Sequence, residues 1–188
     1  MLWWPKRGDM SDREMSRSSV QWAVADRAVD GPSMEIALAG AGGVPRPVGV
    51  VEQITAERLA DALDALEIRY IRDGDGAMLA MWERHAVLFT VEGPSDEILV
   101  IRARPHDTVP GDWAQRAYTV VNEWNHTRRF AKAYVGDPLD SGHLPIYAEV
   151  QVPLIAGLHD QLLIELIDCA VSVSECFVEW LHDEGALF

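Results

Sequence analysis

Residues 77–104 read AMLAMWERHAVLFTVEGPSDEILVIRAR and contain three consecutive strand patterns. We predict strands over Ala77–Arg84, Ala86–Glu92 and Ile98–Arg104, because apolar residues recur there between turn signals. The connections between these strands are too short for a crossover helix, so neighbouring strands must run antiparallel. An antiparallel sheet therefore forms the centre of the predicted fold.

Side-chain alternation assigns the two faces of this sheet. In the third strand Leu99 and Ile101 alternate with Arg102 and Arg104, and successive side chains of a strand point to opposite faces. A later strand that includes Ile146 repeats the alternation of apolar and polar residues. We predict that one face is buried and that the other is at least partly solvated.

Helical patterns come before, between and after the strands. A short amphipathic helix spans Thr55–Leu66, with Thr55 as a suitable N-cap, and a second helix spans about Asp112–Asn125. A long closing helix follows two further strands. The predicted fold class is α+β, an antiparallel sheet with helices packed on one face, in the order α-β-β-β-α-β-β-α.

The first 48 residues differ in character from the rest. Charged residues and serines are interleaved near the start, and a Gly/Pro linker follows at residues 40–47. We predict an N-terminal arm with its linker over residues 1–48 and one α+β domain over residues 49–188. Tryptophans are costly to leave in water, so we expect the arm to dock on this domain, a sister subunit or a partner; the alternative is a later true start at Met10, Met15 or Met34. The tryptophans of the arm are Trp3, Trp4 and Trp22.

Composition limits the classes of partner. The chain has 188 residues and a formal net charge of −14, so the phosphates of nucleic acid and an anionic membrane would be repelled. No apolar run has the character of a signal peptide or the length of a spanning helix. Cys169 and Cys176 lie on one predicted helix too far apart for a disulfide, and we interpret them as small core residues in a reducing compartment. We expect a cytoplasmic protein with no nucleic-acid or membrane partner.

The closing helix combines an acidic side with a wide apolar side. Its polar residues fall within one arc of roughly 100°, and almost all of its other residues are apolar or small. One contact with a sheet buries a narrower stripe than this. We therefore predict that the helix buries a second side, either in a homodimer or under the N-terminal arm. The residues assigned to the dimer interface are Phe177, Val178, Trp180 and Leu181.

Residue types with chemical potential lack the spacing that catalysis or metal binding needs. The six histidines show no metal-ligand pattern, and the segment DGDG at residues 73–76 lacks the later ligands of a calcium loop. The loop DSGH at residues 140–143 contains the residue types of a hydrolase triad, but neighbours in one loop cannot adopt triad geometry. We predict no catalytic residues, no metal and no cofactor, and hence no enzyme.

The solvated face of the sheet is the candidate binding surface. Arginine and tyrosine together suit an acidic peptide or a phosphorylated small molecule. The alternative is an ordinary sheet face with cross-strand pairs to Glu149. The five predicted binding residues are Arg102, Arg104, Lys132, Tyr134 and Tyr147.

One local segment resembles a known family. Residues 120–125, VVNEWN, close a helix, and residues 130–134, FAKAY, open a strand. This combination resembles the YbjN family of bacterial sensory transduction regulators over about residues 50–182. The resemblance implies a fold similar to type III secretion chaperones and an often dimeric state. It also draws attention to Asn125 as a helix C-cap and to Asn122 as a hydrogen-bond partner of the neighbouring strand.

We therefore expect a non-catalytic, cytosolic protein-binding or chaperone-like regulator that forms a homodimer and has a possible protein partner. The alternative is a sensor that binds an acidic or phosphorylated small ligand on the basic sheet face. A sensor should line a concave pocket with its arginines and tyrosines, whereas a protein binder should present a flat apolar patch or an open groove.

Overall fold

The computed structural model describes residues 49–188. The predicted arm and linker at residues 1–48, with their three tryptophans, lie outside the described residues. The elements in chain order are α1 (Ala56–Ala65), β1 (Tyr70–Arg72), β2 (Met78–Met81), β3 (His85–Glu92), β4 (Ile98–Pro105), α2 (Ala114–Thr127), β5 (Lys132–Val135), β6 (Ile146–Pro153) and α3 (Asp160–His182). A short 3-10 turn, Gly111–Trp113, precedes α2.

The described strands form one six-stranded antiparallel sheet in the order β1-β2-β3-β4-β6-β5. The predicted α+β class is confirmed, but four strands rather than three precede α2. The additional strand, β1, has only three residues, too few for an alternating pattern to show in the sequence. The DGDG turn joins it to β2, and the Asp73 carboxylate accepts the backbone N–H groups of Asp75 and Ala77.

The core lies between one face of the sheet and the helices. Phe89 and Ile101 point from the sheet into one buried cluster that includes Leu59 of α1, Trp124 of α2 and Ile167 of α3. All three described helices therefore contribute to the same face, as predicted, and α3 crosses the central strands β3, β4 and β6.

A buried arginine ties the start of the described chain to α1 and α3. The Arg58 side chain is 3% exposed, and it donates to the carbonyl oxygens of Glu52, Gln53 and Leu158 at 2.6 to 2.8 Å. It also donates twice to one carboxylate oxygen of Asp160, at 2.6 and 2.9 Å. Since all five donors are used, Arg58 holds the fold together and is not available to a ligand.

An asparagine closes the outer edge of the sheet at β5. The Asn125 side chain donates to the Ala133 carbonyl at 2.9 Å and accepts the Ala133 N–H at 2.8 Å, so it takes the place of a neighbouring strand. The C-cap of α2 is Arg128, and Asn122 is exposed. The two predicted roles are therefore corrected: Asn125, not Asn122, bonds to the neighbouring strand, because Asn125 lies closer to the end of the helix where β5 begins.

The far end of α3 is covered by the chain itself. Phe177 meets Trp124 edge to face with ring centroids 5.0 Å apart, and Trp180 lies 5.5 Å from the same ring. The C-terminal segment folds back, with the Leu187 N–H donating to the Leu181 carbonyl. The residues predicted to form a dimer interface, Phe177, Val178, Trp180 and Leu181, are therefore core residues, and this assignment is corrected. Self-association itself stays a prediction.

Candidate functional site

The structure places all five predicted binding residues on the sheet face that points away from the helices. Strand register pairs Arg102 with Glu149, Glu149 with Lys132, and Tyr147 with Tyr134, and paired residues of neighbouring strands share a face. Lys132 is exposed and Arg102 is partly buried. Arg104, on the same face, is 6% exposed, so it is not the open cation that the sequence predicted.

Glu149 is the centre of this polar group. It forms an ion pair with Arg102, and the same carboxylate oxygen accepts the Tyr134 hydroxyl at 2.9 Å. Its other oxygen accepts the side-chain amide of Gln151 at 2.5 Å. The cross-strand pairs to Glu149 that the alternative interpretation predicted are therefore present.

The environment of these groups stabilises their protonated, paired forms. Burial raises the pKa of Tyr134 well above its usual range, and the Glu149 carboxylate acts in the same direction while Arg102 opposes it. Burial alone would lower the pKa of Arg102, but Tyr134 and Glu149 outweigh it and the pKa is raised. The Tyr134 ring also stacks on Tyr147 at 5.2 Å. The cluster is a satisfied cross-strand network, in which much of the Arg102 charge is already neutralised.

The other half of the same face is apolar. Ile71 of β1, Leu79 of β2 and Leu88 of β3 follow one another in register, next to Met81. Ile71 and Met81 are 44% and 45% exposed. The face is thus divided between an apolar half at β1–β3 and a paired polar half at β4–β5.

A second surface lies along α3, and we call it the α3 band. It comprises Leu162, Leu166, Cys169, Val173 and Cys176. Leu162 is 44% exposed, both cysteines are exposed, and the other two members are half-buried. Along one side of the band runs an acidic edge of exposed carboxylates, Glu165, Asp168, Glu175 and Glu179.

The exposure of the cysteines corrects one prediction. Cys169 and Cys176 were expected in the core, but both thiols are free and exposed. Each cysteine directly precedes a buried residue, Ala170 or Phe177, and therefore lies about 100° around the helix from it. A heptad spacing of 4-3-4-3 links Leu162 to Cys176, and this signal in the sequence could have identified the band.

Within residues 49–188, no three His, Cys, Asp or Glu side chains lie close enough to hold a metal ion. The triad-like loop is used locally, since His143 shares a hydrogen bond of 3.0 Å with Thr108 and its backbone N–H contacts the Ser141 hydroxyl. No helix in that same part of the chain has the length and apolarity needed to cross a membrane.

The described residues thus define an α+β domain with an antiparallel sheet, helices on one face and an acidic outer helix. A family model described as "Putative bacterial sensory transduction regulator" matches residues 55–183. The chain belongs to this family, named YbjN, and the resemblance predicted from the sequence is confirmed.

A solved structure agrees with this assignment. The chain is similar to the crystal structure of YbjN, described as "a putative transcription regulator from E. coli", with a TM-score of 0.60 and 12% sequence identity, over 72% of this chain and 97% of that chain. At this identity the likeness shows the fold alone. The curated proteins contained no match.

Proposed function

We propose that this protein is a non-catalytic regulator that acts by binding another protein, in a chaperone-like manner. The description of the matching family, "Putative bacterial sensory transduction regulator", supports the regulatory part of the proposal, and the mode of action is our own inference. The observation that carries it is the α3 band, where Leu162 and the two cysteines expose an apolar strip on the outer helix. Exposed apolar strips of this kind, bordered by polar residues, are typical of protein interaction sites.

The polar sheet cluster supports the protein-binding proposal over the small-ligand alternative. A sensor for an acidic ligand needs unneutralised cations that converge on one point. Arg102 is instead paired with Glu149, which also accepts the Tyr134 hydroxyl, so an anion would have to displace a carboxylate from the sheet. Among the three cations that the structure describes in this cluster, Arg102, Arg104 and Lys132, only Lys132 is exposed, and one cation is too little for specific recognition.

We also propose a cytoplasmic location. Two exposed free thiols, Cys169 and Cys176, suit a reducing compartment better than an oxidising one. The predicted homodimer stays part of the proposal, but the buried residues Phe177, Val178, Trp180 and Leu181 are not its interface.

Selection from an unbiased displayed-peptide library tests the proposed function. We expect the full-length protein to enrich peptides whose binding is weakened by Leu162→Asp but unchanged by Tyr118→Asp, since Tyr118 is a similarly exposed residue on α2. Inorganic phosphate and acidic metabolite mixtures should leave the thermal midpoint unchanged. The sensor would be favoured instead if no peptide is enriched and if phosphate raises the thermal midpoint of the wild-type protein but not that of Arg102→Gln.

A further inference from the structure

We propose that the α3 band is a docking site for a basic amphipathic helix of a partner protein. This inference rests on the proposed function and deepens it by naming the chemistry of the partner. It follows from the spacing of the band, from its acidic edge and from the charge of the domain that carries it.

The spacing of the band favours a helix as the occupant. Leu162, Leu166, Cys169, Val173 and Cys176 follow one another at intervals of four, three, four and three residues. This is the seam that a second helix fills in a coiled coil. From the first to the last member the band is roughly 21 Å long, which matches a partner helix of about 15 residues.

The acidic edge favours a basic occupant. Glu165, Asp168, Glu175 and Glu179 lie along one side of the band and are exposed, and α3 contains no Lys or Arg. A partner helix with Lys or Arg on the flank that meets this edge would gain complementary pairs and faster encounter.

The same charges argue against a second copy of this chain on the band. Residues 49–188 contain 24 Asp or Glu and 10 Lys or Arg, so a second copy would add another strongly acidic surface. A basic helix from a different protein avoids that repulsion and is therefore the proposed occupant of the α3 band.

Designed peptides of 16 residues test the inference by fluorescence anisotropy with the full-length protein. The first peptide carries leucines at the 4-3 spacing with lysines on its flanks, the second replaces each lysine by glutamate, and the third keeps the lysines but replaces the leucines by serine. We expect the first to bind at least roughly tenfold more tightly than either control, and its affinity to fall with added salt.

Matched variants localise the contact. Asp168→Asn with Glu175→Gln removes two charges from the acidic edge and should weaken the first peptide by about fivefold. The control, Glu123→Gln with Asp137→Asn, removes two exposed charges elsewhere and should have no effect. Leu162→Asp should weaken binding by roughly tenfold or more, and circular dichroism checks that each variant is folded.

Equal binding of the lysine and glutamate peptides, or equal effects of the two double variants, would overturn the inference. Light scattering that shows a dimer dissociated by Leu162→Asp would overturn it in favour of a second copy. If library peptides bind the band but are not basic helices, the inference fails while the proposed function stands. If no library peptide binds at all, the proposed function fails.

Discussion

At the scale of single residues, two arginines show how burial decides the energetic weight of an ion pair. Arg58 and Arg72 each contact a carboxylate, but the Arg58 side chain is 3% exposed and that of Arg72 is 40% exposed. A surface ion pair is screened by water, whereas removal of a buried guanidinium also removes hydrogen bonds from several polar groups.

Replacement of the buried arginine should be strongly destabilising. Arg58→Met fills much of the volume but removes five hydrogen bonds, three of them to carbonyl oxygens, of which those of Glu52 and Leu158 keep a backbone donor. We expect a loss of about 3 kcal/mol in the free energy of unfolding, because the change breaks a buried ion pair. Arg72→Met is the control and should leave the urea midpoint unchanged. Equal midpoints for the two variants would show that Arg58 does not anchor α3.

A buried histidine should make stability depend on pH. His85 is 4% exposed and stacks on Trp82, and burial, with a smaller contribution from His106, lowers its pKa to about 4. The unfolded chain therefore binds this proton at a higher pH than the folded protein does. Stability should consequently fall as pH drops from about 6.5 towards 4.

The expected loss in the free energy of unfolding over this pH range is at most about 3 kcal/mol. His85→Phe should flatten the dependence of stability on pH in this range, because it keeps the stacked ring without a titrating nitrogen. His126→Gln, at an exposed position, should retain the slope. An unchanged slope in His85→Phe would assign the acid sensitivity to other groups.

At the scale of elements, the edge of the sheet depends on one side chain. Strand β5 is the last in the sheet, and Asn125 satisfies both backbone groups of Ala133. An exposed edge with free backbone groups would invite pairing with other chains. The amide of Asn125 therefore stabilises the fold and also limits aggregation.

Asn125→Asp isolates this role. The new carboxylate still accepts the Ala133 N–H but faces the Ala133 carbonyl without a donor, so we expect a loss of about 2 kcal/mol and a greater tendency to aggregate. Asn122→Asp, three residues away and exposed, is the matched control and should behave as wild type in thermal unfolding. If both variants melt alike, the reciprocal hydrogen bonds carry little of the stability.

The elements also show what the sequence could and could not predict. Alternating segments identified β4 and β6. Strand β3 was identified instead as an apolar run between turn signals, and its residues from His85 to Thr90 are all buried. The three-residue β1 left neither pattern. The sequence predicted the width of the apolar side of α3. It could not predict which part of that side is covered, since this depends on where α2 and the C-terminal segment pack. The exposed half is the α3 band, while Phe177 and Trp180 face Trp124.

At the scale of the whole molecule, charge is distributed unequally between the layers of the domain. The outer helix α3 carries carboxylates and no Lys or Arg, whereas Arg102, Arg104 and Lys132 lie on the sheet. The sequence predicted this polarity. Its alternative interpretation named Glu149 as a cross-strand partner, and in the structure Glu149 pairs with Arg102, about 47 residues away along the chain. The sheet cluster therefore contributes stability, and the helical layer is the better candidate for partner binding.

The two native cysteines allow the most direct test of the claim that this protein binds a partner through the α3 band. Cys169 and Cys176 are the only cysteines in the chain, and both are exposed members of the band. Alkylation by iodoacetamide, followed by mass spectrometry of the full-length protein with and without a saturating peptide selected from the library, measures their accessibility. We predict that both thiols react readily in the free protein and that bound peptide slows both reactions at least roughly fivefold. Unchanged alkylation rates at both cysteines while the peptide remains bound would contradict the account, because the partner would then occupy another surface.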